Sequence, residues 1–244
     1  MRTSVIVRTL FFSIGLSLLA ACAPNEQEPE SFTARQILTR MGTVYANCKS
    51  YRDSGVVITT YIDASINIEW SEVEASFTTA FIRSGRFRLE YRETNGGPLE
   101  GHIIWCRDND IREWWDATPG VSKMESLGLA MAGFTGSSDG AVDAVASLLL
   151  PKEVGGLLLT QLTEAERLVD AEFEEVDCFR IRGKHVVPTT LWVGKSDFLL
   201  RRVDERWEIA GFPEEEVTTV LRPQIDVRIT EEMLEFNPPV GGDA

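Results

Sequence analysis

The stretch "SFTTAFIRSGRFRLEY", residues 76–91, indicates the fold of this chain most directly. Before Ser84-Gly85 the segment reads as an extended strand, in which Phe77, Thr79 and Phe81 share one face. The apolar residues after the glycine share one face in the same way: Phe87, Leu89 and Tyr91. A period of two on both sides of a short Gly-containing segment predicts two antiparallel strands joined by a tight turn.

Further strands are predicted on both sides of this hairpin, with no helix between them. The preceding segment "VVITTYIDASINIEW", residues 56–70, is rich in β-branched residues. The segment "EGHIIWCRDNDIREWWD", residues 100–116, has the pattern of a second hairpin. Residues 166–210 contain several more strands, and residues 214–229 add one that Pro223 interrupts. Strands that follow one another without helices favour an antiparallel meander over repeated strand-helix-strand units.

Two parts of the sequence have a helical period instead. In residues 31–55, apolar residues recur at steps of three and four, which predicts one helix with the apolar stripe Ile37, Leu38, Met41, Val44 and Tyr45. Residues 121–159 are apolar and Gly-rich, and two short helices are predicted there, the second ending before Pro151. Two interpretations of this middle segment remain open. It is either a plug that fills the open side of a sheet or a mobile lid over an apolar ligand cavity.

The first residues have the features of a secretory signal. Arg2 and Arg8 accompany an apolar run, residues 10–20, which is shorter than the ~20 residues that a helix needs to span a bilayer. The run ends in Leu-Ala-Ala-Cys, which resembles the lipobox of bacterial lipoproteins. In that family the cysteine, here Cys22, receives a diacylglycerol and becomes the first residue of the mature chain. The resemblance implies an exported protein anchored to a bacterial membrane and facing the periplasm, and Ala23 favours the outer membrane over the inner.

The sequence is therefore predicted to have four segments. Residues 1–21 are a signal peptide with the lipobox. Residues 22–30 hold the lipidated Cys22 and a flexible tether, in which residues 25–30 have no apolar content to pack. Residues 31–240 form one domain, which is long enough to bury a sizeable core. Residues 241–244 are a tail.

Charge and motifs exclude several functions. The formal net charge of −14 repels phosphate backbones, so we predict no nucleic-acid partner. The two histidines, His102 and His185, are isolated, and the sequence has no metal-ligand spacing, nucleophile motif or phosphate-binding loop. We therefore expect no enzyme activity, no cofactor and no metal. With Cys22 lipidated, the disulfide pattern of the other cysteines stays open: Cys48, Cys106 and Cys178.

The order of these elements resembles the LolA/LolB-like superfamily of bacterial periplasmic and lipoprotein domains. The resemblance covers about residues 31–239 and is carried by three motifs: "FTTAFIRSGRFRLEY" at 77–91, "TTLWVGKSDFLLRRVDE" at 189–205 and "FNPP" at 236–239. It implies a mainly β fold, a half-open curved antiparallel barrel with an N-terminal helix and short helices covering the open face. It also implies that the apolar concave side holds acyl chains of lipoproteins or other lipids. Some relatives act instead as sensors of mislocalised lipids or proteins.

On this basis we expect two groups of site residues. The hydrophobic ligand cavity is expected to be lined by Phe77, Phe81, Phe87, Leu89, Tyr91, Trp105, Trp114, Trp192, Leu127 and Met131. The headgroup of a lipid is expected to contact Arg83 and Arg86, which lie close together in an otherwise acidic chain. The expected partners are a lipid or lipoprotein acyl chain, the membrane through the N-terminal lipid, and an envelope protein. The alternative is an interaction or stress-sensing module with a filled core and no lipid ligand.

Overall fold

The computed structural model describes residues 32–63, 68–94, 101–116, 118–131, 141–154, 159–208 and 214–239. The chain divides into two units, Met1–Ser31 and Phe32–Ala244, and every described residue belongs to the second. The predicted signal peptide, the lipobox and Cys22 therefore lie outside the described residues. Among the helices of the described ranges, none is both long and apolar enough to cross a bilayer.

The described strands form one antiparallel sheet of thirteen. Their bounds are β1 Ser50–Asp63, β2 Ile68–Ile82, β3 Arg86–Glu93, β4 His102–Arg107, β5 Asp110–Trp115, β6 Thr118–Lys123, β7 Thr163–Arg167, β8 Ala171–Phe173, β9 Val176–Lys184, β10 Pro188–Gly194, β11 Leu200–Trp207, β12 Glu214–Leu221 and β13 Gln224–Ile225. The order across the sheet is β6-β5-β4-β3-β2-β1-β12-β11-β10-β9-β7, with β13 beside β1 and β8 beside β9. In the described ranges β6 and β7 do not pair with each other, so the barrel stays open. The predicted half-open antiparallel barrel is confirmed.

The hairpin from which the fold was predicted is the β2–β3 pair. Phe81 lies opposite Phe87, and Phe77 lies opposite Tyr91, so these four rings share one face of the sheet. Gly85 closes the turn with a φ of 97°, a left-handed conformation that glycine adopts without strain. Alternation in the sequence therefore identified both the strands and the face that they bury.

The described helices are short except for the first. Helix α1, Ala34–Asn47, begins at a capping box in which the Thr33 hydroxyl accepts from the backbone N–H of Gln36. The others are α2 (127–131), α3 Ala141–Leu149, α4 Pro151–Val154, the 3-10 turn Leu159–Gln161 and α5 Glu231–Leu234. Pro151 does end α3 as predicted, but it also begins α4, because proline has no N–H to lose at a first helical position.

The core lies on one face of the sheet, which we call the concave face because the predicted curvature encloses it. Most strands of both meanders contribute inward apolar residues to this face. Helix α1 packs on it through its predicted stripe: Ile37, Leu38, Met41 and Tyr45 are fully buried. Within the described ranges the three cysteines are free buried thiols: Cys48, Cys106 and Cys178. The opposite face of the sheet is called the convex face below.

Candidate functional site

A narrow cleft lies between the concave face and the two short helices α2 and α3. The sheet contributes side chains from β2 and β3, and the helices contribute the opposite wall. The lining residues are Thr79, Phe81, Phe87, Leu89, Leu127, Met131, Ala146, Leu149 and Leu150. All are apolar except Thr79. The cavity volume is about 10 Å³, which is room for one water molecule at most.

Half of the predicted cavity residues meet at this cleft. Phe81, Phe87 and Leu89 form its sheet side, and Leu127 and Met131 form its helix side. Two more lie on the same concave face but outside the lining. Phe77 is buried opposite Gly55 of β1, and Tyr91 is buried opposite His102 of β4.

The three predicted tryptophans do not reach the cleft, because they lie on the convex face. Residues directly opposite each other in a strand pair share a face, and Trp105 lies opposite Arg88 while Phe87 and Leu89 point inward. Trp114 is on the same convex side, and both indole rings pack on Phe236, at ring-centroid distances of 5.2 and 5.4 Å. The sequence-based assignment of these two residues to the cavity wall is corrected accordingly.

Trp192 is likewise on the convex face, since its neighbours Leu191 and Val193 are the buried inward residues of β10. Its indole N–H donates a hydrogen bond to Asp204 at 2.8 Å. The guanidinium of Arg180 lies over the same ring, 4.4 Å from its centroid. Trp192 therefore stabilises a polar and aromatic cluster outside the barrel and is also removed from the set of cavity residues.

Arg83 is held by backbone carbonyl groups and does not point to an exposed rim. Its Nε donates to the carbonyl oxygen of Cys48 at 3.0 Å, and its Nη2 donates to that of Tyr45 at 2.6 Å. Its Nη1 donates to the carbonyl oxygen of Leu149 at 2.6 Å. These carbonyls lie at the C-terminal ends of α1 and α3, where a cation also interacts favourably with the helix dipole. Arg83 therefore ties both helices to the β2–β3 turn, and the expected headgroup role is corrected.

Arg86 is on the convex face, where it forms an ion pair with the C-terminal segment of the chain. Both of its Nη atoms donate to the carboxylate of Glu231 in α5, one of them at 2.9 Å. The next convex residue of β3, Arg88, donates to the carbonyl oxygen of Glu235 at 2.9 Å. The two arginines thus fix α5 and the residues after it against the outside of the sheet, and the headgroup contact expected for Arg86 is corrected as well.

A buried polar group that the sequence analysis did not identify lies beside the cleft. Asp53 of β1 is only 7 % exposed, and its Oδ2 accepts a hydrogen bond from the Tyr51 hydroxyl at 2.7 Å. Asp53 lies directly opposite Thr79, the polar residue of the cleft lining. Thr79 interacts with the Asp53 carboxyl through both its hydroxyl and its backbone, which favours the charged form of the carboxyl. The signal for Asp53 was its inward parity with Tyr51 and Val57, but the predicted strand began only at residue 56.

Burial raises the pKa of Asp53 from 3.8 to about 6, against the opposing effect of the nearby Tyr51 and Thr79 hydroxyl groups. The folded protein therefore holds this proton more tightly than the unfolded chain does. As the pH rises from about 4 to about 6, the free energy of unfolding falls, and above pH 6 the full loss, roughly 3 kcal/mol, is present. Asp53 thus makes the domain less stable at neutral pH.

We expect Asp53→Asn to be more stable than the wild type at pH 7.5, by up to roughly 3 kcal/mol. The amide side chain of this variant keeps an oxygen acceptor for the Tyr51 hydroxyl but carries no charge. At pH 4.5, where Asp53 is protonated in the folded state, the advantage should be much smaller. Urea unfolding of both proteins at pH 4.5, 6.0 and 7.5 measures this difference, and an advantage that is constant across the three values would contradict the assignment.

Comparison with known proteins gives a coarse likeness only. No family model matches the sequence, and no curated protein matches it. Among solved structures, the chain is similar to a LolA superfamily protein from Nitrosomonas europaea, with 12 % identity, a TM-score of 0.34, and coverage of 84 % of this chain and 99 % of that one. It is also similar to a putative outer membrane lipoprotein-sorting protein domain from Vibrio parahaemolyticus, with 7 % identity and a TM-score of 0.36. That match covers 84 % of this chain and 96 % of the other. A DUF1329 family protein from Desulfovibrio piger has 13 % identity and a TM-score of 0.35, and the match covers 83 % of this chain and 95 % of the other.

Proposed function

We propose that this protein binds an acyl chain or another hydrophobic ligand between the concave face of its sheet and the helices α2 and α3. The observation that supports the proposal is the composition of the cleft: both walls are apolar, and they come from different elements of the fold. Ligand sites of this kind are mostly apolar, with few polar groups to fix orientation. The ligand would then replace helix-to-sheet contacts with contacts of its own.

Under this proposal, α2 and α3 act as a lid over the cleft. A volume of about 10 Å³ does not accommodate an acyl chain, so the helices must move away from the sheet before one can enter. Helix α2 has the composition for such a role, because Leu127 and Met131 face the cleft while Leu129 is 53 % exposed. An apolar side chain on the outer side of a helix is already solvated and does not oppose its movement.

A second candidate function is a non-enzymatic interaction or sensing module with a filled core. The observation that favours it is the tight packing of the helix side chains: Met131 is 1 % exposed and Leu149 is 2 % exposed. In that case the same residues close the sheet permanently, and a partner protein would bind elsewhere on the surface. The two functions differ in what happens when the α2 wall of the cleft carries a charge.

We expect Leu127→Asp to remain folded and to lose binding of an apolar fluorophore such as N-phenyl-naphthylamine. A lid can swing outward and leave the new carboxylate in water, whereas a fixed helix would bury it unpaired and destabilise the fold strongly. Fluorescence titration measures binding, and circular dichroism with urea unfolding measures folding. Leu129→Asp on the same helix is the matched control, because its exposed side chain should change neither. A wild type that never binds the fluorophore, with a Leu127→Asp variant that unfolds, would favour the filled core.

Export, lipidation at Cys22 and the membrane that holds the anchor remain predictions from the sequence, since residues 1–31 lie outside the described ranges. Under the proposed function, the anchor would keep the half-barrel close to a membrane on its periplasmic side. The ligand would then be a membrane lipid or the acyl chain of another lipoprotein, and an envelope protein would be the donor or acceptor of that ligand.

A further inference from the structure

The C-terminal end of the described chain lies across the convex face as a separate strap. The strap, residues 230–239, consists of α5 and the residues after it, and in the described ranges it adds no strand to the sheet. Phe236 packs on the indole rings of Trp105 and Trp114, at centroid distances of 5.2 and 5.4 Å. Leu234 is only 3 % exposed. These two apolar side chains are the anchors of the strap.

The surface beneath the strap is built from tryptophan and arginine. The register of β3, β4 and β5 places five such residues on the convex face, and we call them the strap groove: Arg86, Arg88, Trp105, Arg107 and Trp114. Tryptophan and arginine are among the residues that most often dominate the binding energy of protein interfaces. Three neighbouring arginines also stand out in a chain of net charge −14. The composition of the groove is therefore that of a surface for an acidic peptide with apolar anchors.

The strap has the chemistry that such a groove binds. Its sequence, "TEEMLEF" at 230–236, combines three carboxylates with two apolar anchors. The carboxylate of Glu231 pairs with Arg86, and that of Glu235 accepts a hydrogen bond from Arg107 at 3.2 Å. Acidic side chains thus meet cations while the aromatic anchor meets the indoles. The chain itself shows which kind of peptide the groove accommodates.

The strap is held by contacts that are weak one by one. The side chain of Glu231 is 63 % exposed, and those of Arg107 and Glu235 are 63 % and 48 % exposed. Ion pairs as exposed as these contribute about 0–1 kcal/mol each. Helix α5 is a single turn and is not stable without its contacts to the sheet. The attachment therefore depends on Leu234 and Phe236, and a competitor with the same chemistry can replace the strap without disturbing the strand pairs.

We propose that the strap groove is a protein-binding site that the chain's own strap occupies until a partner displaces it. The partner is an acidic segment of another protein, with an aliphatic and an aromatic anchor two residues apart, as Leu234 and Phe236 are. While the strap is in place, the apparent affinity for the partner is reduced by the fraction of molecules in which the groove is open. The site is on the opposite face of the sheet from the apolar cleft, so this inference does not depend on acyl-chain binding.

The experiment measures binding of a separate strap peptide to the full chain. A fluorescein-labelled peptide of residues 229–239 is titrated with each protein, and fluorescence anisotropy gives the dissociation constant. In Phe236→Ala the chain's own strap loses its aromatic anchor, so this variant should bind the peptide roughly tenfold or more tightly than the wild type. Asn237→Ala is the matched control, because Asn237 is the exposed next residue of the strap, and this variant should bind as weakly as the wild type.

A second way of opening the groove changes exposed side chains only. The double variant Glu231→Lys and Glu235→Lys places two cations of the strap against the arginines of the groove, and it should also bind the peptide more tightly than the wild type. Adding Trp105→Ala to Phe236→Ala should abolish the gain, because the groove then lacks one of the two indoles that hold the anchor. A peptide with glutamine in place of both glutamates should bind severalfold more weakly than the original. Urea unfolding checks that each variant is folded.

Three results would overturn the inference. If neither opened variant binds the peptide more tightly than Asn237→Ala does, or if Trp105→Ala leaves the gain intact, the strap is a fixed part of the fold and the groove is not a binding site. If the glutamine peptide binds as tightly as the original, the groove does not select acidic segments. If the wild type forms a concentration-dependent dimer in sedimentation experiments and Phe236→Ala abolishes it, the occupant is the strap of a second copy, and the proposed partner class is wrong.

Discussion

Gly55→Ala is expected to unfold the half-barrel or to remove most of its stability. Gly55 lies on the concave face of β1, directly opposite Phe77 of β2 and Leu221 of β12. A Cβ atom at this position would overlap the Cζ atom of the Phe77 ring and the carbonyl oxygen of Val220. The ring can turn away, but the carbonyl belongs to the backbone that pairs with β1. One strand must therefore shift at the centre of the sheet.

The expected loss is roughly 3 kcal/mol or more, which is a large part of the stability of an ordinary domain. Urea unfolding measured by circular dichroism gives the value directly. Gly128→Ala is a suitable control, because a Cβ there meets the carbonyl oxygen of Glu153 at 3.4 Å, an ordinary contact. Since Gly128 lies in α2, alanine should be neutral or slightly stabilising there. An unchanged midpoint for Gly55→Ala would show that β1 and β12 do not pair in this register.

Arg83→Met is the second substitution for which we expect a large effect, a loss of roughly 2–5 kcal/mol. Three backbone carbonyls at the ends of α1 and α3 would lose their donor, and each unsatisfied buried group costs about 1–3 kcal/mol. Because Arg83 is half-buried, water can replace part of this loss, which sets the lower limit. Methionine keeps much of the apolar stem, so the substitution tests the guanidinium and not the packing.

Arg83→Met should also change how the cleft opens. Without the hydrogen bond to Leu149, the described side chains of α3 contact the sheet through apolar groups, so N-phenyl-naphthylamine should associate faster than with the wild type in stopped-flow fluorescence. Arg86→Met is the matched control three residues away, because its partner Glu231 has a side chain 63 % exposed. Such a pair contributes less than about 1 kcal/mol. Equal losses for the two arginines would contradict the role assigned to Arg83.

The parts of the fold that could be predicted from the sequence are those in which the signal is local. The β2–β3 hairpin was recognisable because polar and apolar residues alternate strictly in β3, and because Phe77 and Phe81 recur on one face of β2 before the glycine. Helix α1 was recognisable because its apolar stripe is continuous and a capping box begins it. Both signals depend on residues a few positions apart, and tertiary contacts reinforce them here.

The face on which a side chain lies was predictable only where one side of a strand is polar. In β4, "HIIWCR", apolar residues occupy both sides, because Phe236 and its neighbours cover the convex face as the core covers the concave one. The alternation therefore disappears, and nothing local indicates that Trp105 points outward. The roles of Arg83 and Asp53 were missed for a related reason. Their partners come from strands or helices distant in sequence, and only the register of β1 against β2 brings Asp53 to Thr79.

The pairing of β1 with β12 has a consequence for how the protein is made. Gly55 and Leu221 are partners, although almost the whole domain separates them along the chain. Contacts of such long range must be closed before they contribute energy, so sheets rich in them fold slowly. Until Glu214–Leu221 has been synthesised, β1 keeps an open edge and the two meanders cannot join. For the export that the first residues predict, this order of events would be an advantage, because the sheet could be completed only after the last strands had crossed the membrane.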